Sequence, residues 1–221
     1  MKTIFIFIFF YIFFISGCSS KSSPEFSDNA FGYIEKFKLS KLSGDDALSR
    51  IYKSKASESI KKGSNIYLLE ELELTDMAMD TALLKARDQK GFQDLDKVEH
   101  HNDLASYKKL ITAEKLTLDD IDALPDVYRD FARDISENML DSAFTKVDQI
   151  KNNISKLIAL GVLVHYGYTN KKIYKKIIDI SKAQGYKAVT LQAYMALELL
   201  YIKNNDVKEA KIIREKLIII R

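Results

Sequence analysis

The chain has 221 residues, 34 basic against 31 acidic, with a single cysteine, eight glycines and two prolines. One thiol excludes a disulfide framework or a cysteine-built zinc site, and so few Gly and Pro exclude the frequent turns of a strand-rich domain. An apolar content of 47% suits a fold that stands on its core, and the Lys, Glu, Leu, Ile and Ala bias predicts an all-α class. Charge is unevenly placed: residues 171–221 hold 12 basic and 5 acidic side chains, a net of +7, while residues 18–170 carry −5. That asymmetry suits either solvated helix faces or a docking surface for an acidic partner or anionic lipid.

The N-terminus reads Met1-Lys2, then a nearly unbroken apolar run from Ile4 to Ile15, then Ser16-Gly17-Cys18. One cation, a short apolar stretch and small residues make a secretory signal segment over residues 1–17. The run is well short of the roughly 20 residues that span a bilayer. Ile15-Ser16-Gly17-Cys18 resembles the lipobox of bacterial lipoproteins. The resemblance implies diacylglycerol on the Cys18 sulfur, cleavage after Gly17 and acylation of the new amino group. With roughly 0.8 kcal/mol per buried methylene, two or three acyl chains hold a protein on its membrane. Ser19, the next residue, is compatible in that family with export to the outer membrane of a Gram-negative host.

Residues 18–28 read as a polar, lipidated tether, rich in Ser and carrying Pro24. Residues 26–39 predict a short amphipathic helix through Ala30, Phe31, Ile34, Phe37 and Leu39. Ser43-Gly44-Asp45-Asp46 reads as a helix start, and that helix runs through Leu48, Ile51, Tyr52, Ala56 and Ile60 to Gly63. Ser64 is placed to cap residues 66–74, a helix with a short strand as the alternative. Thr75-Asp76 starts another helix through Met77, Met79, Ala82 and Ala86. Residues 92–102 read as a polar loop and 103–114 as a short helix. Thr117-Leu118-Asp119-Asp120 has capping-box spacing with Asp in place of Glu. From Asp126, apolar residues at Val127, Phe131, Ile135, Leu140, Phe144 and Val147 predict one helix.

The last third predicts four helices in two hairpins, over residues 153–166 and 171–183, then 186–203 and 207–221, with Gly167, Gly185 and Asn204-Asn205 at the turns. Asp206 with Glu209 makes a second cap pair. Tyr194, Leu197, Tyr201 and Ala210 stand at the large, Leu, Tyr and Ala offsets of the tetratricopeptide repeat, with Glu198 at its Gly position. The preceding unit offers Leu157, Leu160, Gly161, Val164 and Ile173, where Ile173 departs from the small residue, and the units are 37 residues apart. The tail thus resembles a pair of divergent tetratricopeptide-like hairpins, which implies a short solenoid with a concave face for peptides or proteins. The alternative is a bundle with hairpins of similar length. Residues 29–150 form a helical region and residues 151–221 the paired hairpins, separate or continuous with it.

No motif points to catalysis. His100-His101 beside Glu99 and Asp103 lack His-Glu-x-x-His spacing and a thiol partner, and read as an exposed polar loop. There is no Gly-x-Ser-x-Gly elbow and no glycine-rich phosphate loop. The expectation is a non-enzymatic protein without cofactor, metal, nucleic acid or evident small-molecule substrate. It is a lipid-anchored adaptor, pilotin-like or assembly factor of the cell envelope, placed at the outer membrane in a Gram-negative host. Lys171, Lys172, Lys175, Lys176, Lys208, Lys211 and Arg214 are the candidate partner-binding residues. The alternatives are a surface-exposed lipoprotein that contacts host molecules or mediates exclusion, and a lipid-anchored hydrolase.

Overall fold

Among residues 25–220, which the computed structural model describes, every regular element is helical and no strand is present. The signal segment, Cys18 and the first part of the tether lie outside the described residues. In chain order the helices are α1 (Glu25–Ser43), α2 (Asp46–Lys62), α3 (Ile66–Ala82), α4 (Lys90–Asp96), α5 (Asn102–Thr112), α6 (Leu118–Ala123), α7 (Asp126–Ser136), α8 (Leu140–Lys146), α9 (Asn153–His165), α10 (Lys171–Gln184), α11 (Lys187–Lys203) and α12 (Val207–Ile220). The all-α class expected from composition is the observed one. No helix among the described residues is long and apolar enough to cross a membrane.

The centre is α9, whose run from Leu157 to Leu163 is buried at every position. A helix apolar all round must be surrounded, and α9 packs on α3, α5, α8 and α10. It approaches α3 closely at Gly161. A β-carbon there would overlap the Thr81 carbonyl oxygen of α3 and come within 2.8 Å of its carbonyl carbon. Thr81 is fully buried, and its hydroxyl lies within reach of the carbonyls of Met77 (3.0 Å) and Ile111 (3.2 Å). The Ile111 carbonyl also accepts from Arg87 Nη1 at 2.8 Å. These bonds supply partners to a carbonyl that the end of α5 leaves without one.

α1 and α2 form a hairpin that lies on α3, and α1 also reaches α11. Ion pairs stitch this end together. Lys41 of α1 contacts Asp76 and, at 2.8 Å, Asp80 of α3; Lys53 of α2 holds Asp76 at 2.6 Å and Glu73 at 2.9 Å. Burial pushes the Asp76 carboxyl up, but Lys41 and Lys53 outweigh it and hold the group below its usual range.

Thr117 and Asp120 form the capping box that their spacing predicts. Asp120 Oδ2 accepts from the Thr117 amide at 2.9 Å, and the Asp120 amide donates to Thr117 Oγ1 at 3.2 Å. The other carboxylate oxygen accepts from Ser106 at 3.1 Å and Lys109 at 2.7 Å, tying α6 to α5. Burial raises this carboxyl, yet the bonds from Lys109, Thr117 and Ser106 bring it down to about 2.

Several expected boundaries shift. The first helix starts at Glu25, inside the stretch read as tether, and buries Ala30, Ile34, Phe37 and Leu42, while Phe31 and Leu39 are exposed. Asp45, not Ser43, caps α2, accepting from the Leu48 amide at 2.9 Å. Asn65, not Ser64, caps α3, because Ser64 is in the left-handed region. Residues 66–74 and those after Thr75 are one helix, with the Thr75 hydroxyl bonded back to the Glu71 carbonyl at 2.8 Å. The stretch read as a polar loop holds α4, whose Phe92 is buried. The single helix expected from Asp126 breaks at Asn138, which has φ 59°, a conformation that Asn tolerates. The Met139 amide then bonds the Asp134 carbonyl at 2.8 Å, closing α7.

The two tail hairpins are also unequal. α9 is enclosed by non-neighbouring helices, whereas α10, α11 and α12 pack successively as a layer at the surface. The glycine at the repeat-like offset, Gly161, serves the crossing with α3.

Gly161→Ala should lower stability by about 1–3 kcal/mol, the usual range for overpacking a tight core, read as a lower denaturant midpoint. Asp120→Ala should cost about 1–2 kcal/mol for the lost cap. Because the folded carboxyl is depressed, Asp120 contributes fully above about pH 4. Its contribution is lost as pH falls towards 2, so a pH series of midpoints should show the gap to wild type closing in acid.

Candidate functional site

α10 buries Ile173, Tyr174, Ile177, Ile178 and Ser181 against α11, at one-turn spacing. Asn170 caps its start, accepting from the amides of Lys172 and Ile173, and Gly185 at φ 73° ends it. α11 lies between α10 and α12. Along its N-terminal half, the C-terminal halves of α10 and α12 leave a groove of about 580 Å³.

Tyr194 of α11 and Ile219 and Ile220 of α12 give this groove apolar walls, and Lys182, Lys187 and Lys216 give it cations. Among the described residues, none of those lining it carries a carboxylate. Its polar floor is internally satisfied: the Ser181 and Thr190 hydroxyls bond each other at 2.8 Å and lie 3.1 Å from the Ile178 and Tyr186 carbonyls. Ile219 is 82% exposed. Met195, Leu199 and Ile202 are also exposed on α11, and Val207 is exposed at the start of α12. Their spacing of four and three residues places the three α11 positions on one face.

The seven cations singled out in the sequence divide into two groups. Lys171, Lys172 and Lys175 of α10 and Lys208 and Lys211 of α12 are exposed. Lys176 instead pairs with Asp148 at 2.6 Å and lies 4.7 Å from the Phe144 ring centre. Arg214 pairs with Glu198 of α11 at 2.7 Å. Lys171, Lys175 and Lys182 follow helical spacing along one edge of α10, which ends in the groove. Lys182, Lys216, Ile219 and Ile220 escaped the sequence reading, since their convergence depends on the α10–α12 packing. Cys18 lies outside the described residues.

A second concavity, about 450 Å³, lies between α3, α5 and the turn from α6 to α7. Tyr67, Glu71, Asp103, Tyr107 and Arg129 line it. The Tyr67 hydroxyl donates to Asp103 Oδ2 at 2.8 Å. Burial, then that bond, pushes the phenol up to about 12. Burial also raises Glu71, opposed by Lys38. Arg129 is already engaged, with Nε on the Leu124 carbonyl at 2.8 Å and Nη1 on Asp126 at 2.7 Å.

Behind this cleft, His101 departs from the exposed loop expected of it. Its Nδ1 meets the fully buried carboxylate of Glu70 at 2.5 Å. Its Nε2 lies 3.3 Å from Glu99, and the Tyr67 ring packs edge-on against it. The bond to Glu70 foremost, with Glu99 assisting, raises the imidazole above its ordinary value. His101 thereby ties the entrance of α5 to α3. His100 remains exposed, paired with Asp96 at 2.6 Å.

Comparison with known protein families, curated proteins and solved structures finds no match for this chain.

A raised imidazole stabilises the fold fully below its unfolded value of about 6.5, and that contribution is lost as pH rises through the folded value. Between pH 6 and 9 the wild-type thermal midpoint should therefore fall more than that of His101→Gln. Parallel curves would show that the Glu70 contact carries no such coupling.

Proposed function

We propose that this chain is a lipid-anchored adaptor of the cell envelope, which binds other proteins through the layer α10–α12. The observation that carries this reading is the concentration of exposed apolar and unengaged basic side chains on that layer. Leu199, Ile202, Val207 and Ile219 stand in solvent on the same three-helix layer as the exposed Lys171, Lys175, Lys208 and Lys211. Clustered apolar exposure rimmed by charge marks interaction surfaces. The signal segment directs export and lipid on Cys18, within Ile15-Ser16-Gly17-Cys18, supplies the membrane attachment.

A lipid-anchored hydrolase is the second reading. It draws on the α3–α5 cleft, where a half-buried Glu71 with a raised carboxyl and the Tyr67-bonded Asp103 line one concavity. Such an arrangement suits acid–base work.

Cys18→Ser should move the protein from the membrane pellet to the soluble fraction; retention in the pellet would refute the lipid anchor. Reversing Lys171, Lys175, Lys208 and Lys211 to Glu should reduce the proteins recovered with the chain from detergent-solubilised envelope by at least fivefold. An unchanged partner set would refute the adaptor reading. Protease treatment of intact cells separates a protected periplasmic adaptor from a surface-exposed lipoprotein, which it would degrade.

A further inference from the structure

We infer that the groove between α10 and α12 takes an acidic amphipathic segment of a partner protein. Its apolar side chain seats against Tyr194, Ile219 and Ile220, and its Asp or Glu carboxylates meet Lys182 and Lys216. The inference rests on the adaptor reading and names the chemistry of the partner.

Charge complementarity selects the occupant. Among the described residues, Lys182 and Lys216 have no carboxylate within ion-pairing distance, and none of those lining the groove carries one. Elsewhere on the layer, Lys176 takes Asp148 and Arg214 takes Glu198. The two groove lysines are thus positioned to receive acids from outside. The floor asks for little polar contact, because Ser181 and Thr190 satisfy each other. The Tyr194 ring and two isoleucines therefore favour an apolar group. A volume of about 580 Å³ falls within the range of roughly 300–1,000 Å³ in which clefts enclose a ligand. An apolar side chain flanked by carboxylates satisfies both halves of the site, whereas a basic segment would meet like charge.

The test uses the purified full chain and two dye-labelled helical peptides with the same Leu and Phe face, one flanked by Glu and the other by Lys. Fluorescence anisotropy should show the Glu peptide binding at least tenfold more tightly, with affinity falling as salt rises. The double substitution Lys182→Glu, Lys216→Glu should reverse the ranking while leaving the thermal midpoint unchanged. Equal binding of both peptides, binding of neither, or indifference to the double substitution would overturn the inference. So would laurate binding in the groove more tightly than the Glu peptide, which would make it a site for a free acyl carboxylate. A dimer abolished by the double substitution, without peptide binding, would make the occupant a second copy. A photo-crosslinking residue at position 216 or 208 separates the two levels of the reading. Partner capture from 208 alone overturns the groove and leaves the adaptor standing; capture from neither position removes the adaptor as well.

Discussion

α9 passes so close over the carbonyl of Thr81 that residue 161 can carry no side chain. Helix axes usually keep 8–10 Å apart because side chains separate them. Here a backbone carbonyl occupies the space that a β-carbon would take. The approach lets α3 and α9 bury one another, and α5 docks beside them, where Thr81 and Arg87 both reach the Ile111 carbonyl. The α1–α2 hairpin is then fixed to α3 by Lys41 and Lys53, and α10 leaves from α9 toward the outer layer. Contacts between residues as distant as 81 and 161 join the tail helix α9 to the N-terminal part of the chain.

From that centre the molecule develops two faces of opposite character. On one side α3 and α5 hold a cleft with Glu71, Asp103 and Asp126, where the only arginine lining it is already engaged. At the other concavity, α10–α12 present Lys182, Lys187, Lys216, Ile219 and Ile220. The charge asymmetry along the chain is therefore also an asymmetry in space at these two concavities. Opposite fields at separate sites favour partners of opposite sign at each.

Buried polar groups follow the same economy as the core. Asp120, Thr81 and Ser181 each have partners within hydrogen-bond reach that offset their desolvation. Glu70 differs, with one carboxylate oxygen on His101 and the other buried without a partner. The partner of that first oxygen is an imidazole raised by the contact, so the attachment of α5 to α3 responds to proton concentration.

Signals carried by a few adjacent residues were legible in the chain. Thr117 and Asp120 have the spacing at which two groups satisfy each other's backbone amides, and Gly185 sits where an αL residue ends a helix. Those interactions are complete within four or five positions. The helical class follows similarly from composition and the scarcity of turn residues. Other features depended on surroundings: Thr75 continues a helix because its hydroxyl turns back to Glu71, and Phe92 orders α4 because a core is present to receive it. Asn138 breaks the helix between two apolar stretches whose periodicity alone suggests continuity.

By itself, then, the sequence determined an all-helical chain with local caps and a basic tail. Only the tertiary structure decided that Gly161 serves the crossing with α3, that His101 turns inward to Glu70, and that Lys182 and Lys216 line one groove across α11. The physical reason is range: caps and helix periods act across a turn, whereas a groove or buried pair exists only where packing brings distant residues together.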